Sequence, residues 1–218
     1  MGVKSMWRAN ASMLALLILV NLAMSMAGET IWIIVGVAML LLSMYLNYRQ
    51  GSMTGHGACG IRNTVEDARK AGEAVYAQLD RDYLSQVWSV NTGVRGLLAS
   101  ALIPYAAGCV YIALSLLNVL DPQGVPMVVV RIVAWILSLP YWPVIMHWHE
   151  DFVTLTPAIV AVLMISPFVL PACTFLGYLR GPKLWARTEQ AMKEGRRRAK
   201  AKARVGKKLV PRQQKPEI

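Results

Sequence analysis

Five consecutive residues hold most of the chemistry in this sequence: His147, Trp148, His149, Glu150 and Asp151. Imidazoles and carboxylates so close together suit zinc or another borderline divalent cation. His56 or Cys59, both in a glycine-rich stretch, could complete a tetrahedral shell. A divalent metal is therefore the one cofactor the residues suggest. In a helix, however, the two side chains of a His-x-His pair diverge by about 200° at 3.6 residues per turn, so they share a face only in extended chain. The competing reading makes 147–151 the polar end of a membrane span, with Trp148 at the interface and the two acids marking where lipid stops.

Arg131 is the one charge well inside an apolar run, and an intramembrane charge is a functional hypothesis by default. It lies near the start of its segment, close enough to snorkel or to pair with Asp121 or Glu29. The alternative role is contact with an anionic substrate or headgroup. Asn21, in the first apolar run, is suited to a hydrogen bond between helices. Gly55-His56-Gly57-Ala58-Cys59-Gly60 has the glycine density of an anion-cradling loop but lacks the Gly-Lys-Ser/Thr ending of a P-loop. It reads as a flexible linker.

The elements that would position these groups are membrane segments. The 218 residues are 56% hydrophobic and 16% charged, a balance outside the soluble range. The net charge of +11 is confined to one place: residues 180–218 carry 14 Lys and Arg against three acids, while the first 179 carry nine of each sign. A basic tail on a neutral body speaks against a nucleic-acid-binding domain. Cys109 and Cys173 sit in apolar runs and behave as small hydrophobes, so the three cysteines form no disulfide framework.

Periodicity and length predict an all-α, polytopic integral membrane protein with five membrane-embedded helices at about 10–27, 31–48, 94–118, 125–146 and 153–179. Ser25-Met26-Ala27 resembles a signal-peptide cleavage site. Only Gly28-Glu29-Thr30 precedes the next apolar run, so the first two segments read as a retained hairpin. Residues 48–93 read as a loop whose part 64–90 forms an amphipathic surface helix, with Tyr83 and Trp88 at headgroup level. Gly96, Ser100 and Gly108 give the third segment a small-residue face for close helix packing. In the tail, Glu189 to Lys193 and Glu194 to Arg198 support a helix to about Arg204, with disorder past Gly206.

The positive-inside rule places the C-terminus in the cytoplasm and the chain in the cell membrane. Five crossings then put the N-terminus outside, which conflicts with Lys4, Arg8, Arg49 and Arg95. An even count, with one of the proline-rich segments in 125–179 re-entrant, removes the conflict. Lys193, Arg196, Arg197, Arg198, Lys200, Lys202, Arg204, Lys207 and Lys208 form a polybasic run suited to anionic lipid, and less well to ribosomal or other RNA, since aromatic residues for base stacking are missing.

For function, the sequence supports a non-enzymatic scaffold or transport-associated component that assembles with itself or a membrane partner through helix contacts. A membrane metalloenzyme using His147, His149 and Glu150 is the alternative, and a small transporter a further one. The last lacks an internal inverted repeat.

Overall fold

A computed structural model describes residues 3–26, 28–77, 79, 81–117, 121, 123–145 and 155–209. Helices α1 (Val3–Met24), α2 (Glu29–Ala71), α5 (Val90–Leu117) and α8 (Pro157–Leu179) are each long and apolar enough to cross a membrane, and α8 leads through Arg180 into α9 (Gly181–Leu209). No strand occurs among the described residues. The hairpin between α1 and α2 turns at Gly28, whose φ of 105° suits glycine alone.

The glycine-rich stretch expected as a linker is instead the middle of α2, a helix of 43 residues. Glycines there cost intrinsic helicity, about 1 kcal/mol each, but Gly51, Gly55 and Gly60 are contact residues. A Cβ on Gly51 would overlap the Thr174 carbonyl, and one on Gly55 would overlap the carbonyl of Tyr178. Reciprocally, Gly177 faces the Tyr48 carbonyl and Gly181 faces Gly55. Two glycine pairs, each spaced by one helical turn, thus press two backbones together, and α2 with α8 forms the most extensive helix pair among the described residues. At about 1.5 Å per residue α2 runs to roughly 65 Å, about twice the depth of a bilayer core. Its second half therefore continues beyond the apolar bundle, and α9 packs along it.

The amphipathic helix expected at 64–90 is divided. Its first part belongs to α2, which ends at Gly72 (φ 125°), and the rest forms α3 (Glu73–Ala77), α4 (Arg81–Leu84) and a bend. Trp88 is not a lipid anchor but a tether: its backbone N–H donates to the Ala58 carbonyl (3.2 Å), its indole N–H donates to the Tyr178 carbonyl (3.4 Å), and its ring stacks on Tyr178. Ser89 then caps α5, its hydroxyl accepting from the Thr92 N–H at 3.0 Å. The small-residue face of α5 is filled within the chain, with Gly96 against Met6 and Gly108 against Leu163.

The segment expected as a complete fourth span is broken. Helix α6 (Val125–Ser138) has 14 residues, about 21 Å at 1.5 Å per residue, and is followed by a 3-10 turn over Leu139–Tyr141 and one turn of helix, α7 (Trp142–Ile145). Pro140 and Pro143 cannot donate to the preceding turn, which ends the regular helix. The packing fixes the path of this segment. Met127 of α6 packs with Tyr111, near the end of α5, and with Ile159, at the start of α8. Tyr141 lies halfway along the bundle with Leu17, Leu40 and Leu170. Pro143 and Asn21 both border Gly36, and Leu155 packs on the Tyr111 cluster. Met127 and Leu155 thus lie at the same end of the bundle, with Tyr141 about halfway along it.

Five further cations gather at the other end. Met6 packs on Ala58 and Tyr178, and Arg180 donates to the Tyr48 hydroxyl at 2.7 Å. The start of α1, the middle of α2, the start of α5 and the end of α8 are thereby brought together, and with them Lys4, Arg8, Arg49, Arg95 and Arg180.

Replacing Gly177 by leucine forces a side chain into the α8 side of this crossing and is expected to destabilise the fold by about 3 kcal/mol or more. Gly57→Leu, on α2 but facing open space, serves as the control. Thermal unfolding in detergent, followed by size-exclusion chromatography, should show a collapse for the first variant and a near-native transition for the second.

Candidate functional site

Four polar residues inside apolar helices converge just below the cationic end: Asn10 of α1, Asn47 of α2, Ser100 of α5 and Thr174 of α8. Each comes from a different long helix, and a buried polar group requires a partner. Asn10 Nδ2 donates to the Met6 carbonyl (3.0 Å) and to Ser100 Oγ (3.1 Å), while the Thr174 hydroxyl donates to Asn10 Oδ1 (2.8 Å). A hydroxyl has one proton, so Asn47 Oδ1, 3.5 Å from Thr174 Oγ1, is left with the weaker contact. Asn47 is fully enclosed, and its Nδ2 has no hydrogen-bond partner among the described residues. Asn21, the polar residue expected to bond across helices, does so, accepting from the Trp32 indole at 3.3 Å.

Beside this node a cavity of about 240 Å³ lies between α1, α5, the 3-10 turn and α8. Asn10, Ser100 and Ser166 supply its few polar atoms, and Pro104, Tyr141 and Pro171 are among its mostly apolar walls. Such a space can take a hydrocarbon chain or a small apolar molecule with one hydrogen-bonding group.

The residues singled out for metal chemistry are not brought together. His147, His149, Glu150 and Asp151 lie outside the described residues. His56 Nε2 is 3.1 Å from Thr188 Oγ1, and its ring packs on Trp185 with centroids 5.2 Å apart. Cys59 is buried on the same helix; burial pushes its thiol above the ordinary range, and Arg62 partly offsets this. Both lie toward the α9 end of the bundle. Among the described residues no group of three or more His, Cys, Asp or Glu is placed to hold a metal ion.

Arg131 finds neither Asp121 nor Glu29. Half-buried, it lies over the Trp135 ring with its guanidinium carbon 5.5 Å from the centroid, so its charge is met by a cation–π contact. On α9, Lys193 pairs with Glu189 (2.7 Å) and Arg198 with Glu194 (3.9 Å), and Lys193, Arg196, Arg197, Arg198 and Lys200 are exposed. Lys202, Arg204, Lys207 and Lys208 continue the same helix, which runs past Gly206 to Leu209 instead of stopping near Arg204.

Sequence reasoning missed the Asn10, Asn47, Ser100 and Thr174 node. Its signal was one uncharged polar residue in or beside each of four apolar runs. No protein-family model, curated protein or solved structure matches the chain. What the fold defines is a class: an all-helical protein with several helices long and apolar enough to span a membrane.

The hydrogen bonds divide the node unequally, and this can be measured. Asn10→Leu removes bonds to two neighbouring helices and is expected to cost about 1–2 kcal/mol. Asn47→Leu removes an amide whose nitrogen is unpaired and should be near neutral or stabilising. Midpoints of unfolding in mixed micelles would check the order of the two variants.

Proposed function

We propose that this chain is a non-enzymatic integral membrane protein, a scaffold or transport-associated component, that crosses the membrane four times and holds a basic helix out from the cytoplasmic face. The observation that carries this reading is the anchoring of α9. Its first two turns do not hang from the last span as a free tail. Gly181 lies against Gly55, Trp185 against Gly60 and His56, and Thr188 against His56. From Ala191 to Lys200 every residue is exposed. A polybasic segment fixed in direction is suited to engage an anionic surface at a defined distance from the membrane, with anionic lipid the favoured surface and RNA a weaker fit.

The path of 125–155 supports four crossings with α6 and α7 re-entrant, and the gathering of Lys4, Arg8, Arg49, Arg95 and Arg180 at one end supports a cytoplasmic location for that end and for both termini. Non-helical backbone at membrane depth is tolerated where protein covers it, as it does around Tyr141. Self-association through the small-residue face of α5 is not retained, because Met6 and Leu163 occupy that face. A small transporter is the second reading. The broken segment reaching Tyr141 beside the 240 Å³ cavity favours it, since discontinuous helices line many transport sites. The metalloenzyme reading has no described residue pairing in its favour.

Two measurements test the proposal. In a variant with its own cysteines replaced, Thr30→Cys and Gln123→Cys should react with an impermeant thiol reagent in intact cells, and Gly195→Cys only after permeabilisation. Reaction of Gln123→Cys from the same side as Gly195→Cys would contradict four crossings. For the docking role, full-length protein in proteoliposomes should cluster added phosphatidylglycerol vesicles. Changing Lys193, Arg196, Arg197 and Arg198 to glutamine, or raising salt, should abolish the clustering.

A further inference from the structure

A second cationic feature lies apart from α9. A basin of about 990 Å³ opens between the first turns of α1 and α5, with Gln50 of α2 and the bend at Ser85 and Gln86 completing its rim. Lys4 and Arg8, one helical turn apart on α1, and Arg95 of α5 line it. All three are exposed, and none forms an ion pair with a carboxylate among the described residues. The ordinary explanation of a solvated cation is a pairing carboxylate or open water, yet here three cations from two helices surround one concavity.

The Ser12 hydroxyl donates to the Ala9 carbonyl, and the hydroxyls of Thr92 and Ser89 bond to each other, leaving the Gln50 carboxamide as an additional donor. The start of α5 faces the same region, so its macrodipole adds positive potential. Trp7, in the first turns of α1, is partly exposed, as befits an aromatic residue at headgroup level.

We infer that this basin binds a phosphate ester, with Lys4, Arg8 and Arg95 as its cationic ligands. The inference rests on the membrane reading above, in which the basin opens at the cytoplasmic interface where lipid phosphates lie. The same chemistry would accept the headgroup of an anionic phospholipid or a soluble phosphate ester. The basin differs from the α9 surface in kind: it is a concave site for one headgroup, whereas α9 offers a line of separate charges.

The test uses the full chain purified in detergent from membranes containing phosphatidylglycerol, with bound lipid counted by mass spectrometry through successive washes. Wild type should retain phosphatidylglycerol in preference to phosphatidylcholine. The variant Lys4→Gln/Arg8→Gln/Arg95→Gln should lose it, with apparent affinity falling about a hundredfold. The variant with Lys193, Arg196, Arg197 and Arg198 changed to glutamine should retain it as wild type does. A charge-preserving variant, Lys4→Arg/Arg8→Lys/Arg95→Lys, should also retain it, which separates loss of charge from loss of fold.

Glycerol phosphate added to the wild type distinguishes the sources. Displacement of the lipid identifies a site open to soluble phosphate esters, and lack of displacement identifies a lipid site; either supports phosphate recognition. Equal retention by wild type and the Gln triple variant, or no preference for phosphatidylglycerol, overturns the inference. Retention in detergent does not depend on which way the protein faces, so a wrong topology would appear only in the Gly195→Cys labelling and not here.

Discussion

The structure depends on the direct contact of α2 with α8 and the start of α9, backbone on backbone, at Gly51, Gly55, Gly177 and Gly181. In lipid, apolar side chains gain little by leaving hydrocarbon for hydrocarbon, so helices associate where their surfaces fit closely. A crossing without side chains permits the closest fit. Here it also sets the alignment of the two helices, since each glycine admits one particular carbonyl of the partner. That alignment places Thr174 near Asn47, Tyr178 near Trp88 and Arg180 near Tyr48. It also places α9 along the second half of α2. The membrane bundle and the projecting basic helix are thus held by one contact surface.

The polar node acts on the same arrangement in a different way. Asn10 reaches both Ser100 and Thr174, so α1, α5 and α8 share one hydrogen-bonded residue. Each bond is worth little net energy in a membrane, about 1 kcal/mol, but a buried amide without its partners is costly, and a rotated α1 would leave it so. The node therefore selects a rotation for α1 more than it adds strength. Asn47 is the exception. Its unpaired Nδ2 contributes nothing to that selection, and it lies where α2 leaves the apolar region, next to the basin that Gln50 helps to form.

Much of the architecture was legible in the sequence because length and apolar character survive any tertiary arrangement. The all-helical class and four helices long and apolar enough to cross a membrane are present. What was not legible turned on residues whose meaning depends on the neighbour. Gly51, Gly55 and Gly60 look like breakers when counted alone, and become contact points only when Thr174, Tyr178 and Trp185 stand opposite. Residues 125–146 have the length of a span by count, yet Pro140 and Pro143 divide the described part of them, and no periodicity within the segment shows the break. Trp88 has the composition of an interfacial anchor and the role of a tether to Ala58 and Tyr178. The candidate site was the least legible part. Its residues are single polar positions in four separate runs, joined only by the fold, whereas the locally dense cluster 147–151 drew attention because its chemistry is visible without one.

The surroundings of the broken segment are compatible with the re-entrant path proposed for it. A 3-10 turn at mid-depth exposes backbone polar groups unless protein surrounds them. Here the turn is enclosed by Leu17, Leu40 and Leu170, and the Ser138 hydroxyl bonds to the Ala134 carbonyl at 2.9 Å as regular helix ends. The returning chain needs space between α1 and α2. Gly36 supplies it, since a Cβ there would overlap Pro143, and Asn21, held by Trp32, lies alongside. A bulkier residue at Gly36 would displace Pro143 and favour a straighter, full crossing for 125–146. That crossing would carry the following loop to the cationic end, where Lys4, Arg8, Arg49, Arg95 and Arg180 stand. In the proposed four-crossing arrangement the charges and the glycine act on the same choice: the cations favour one end as the inside, and Gly36 leaves room for the broken segment away from that end.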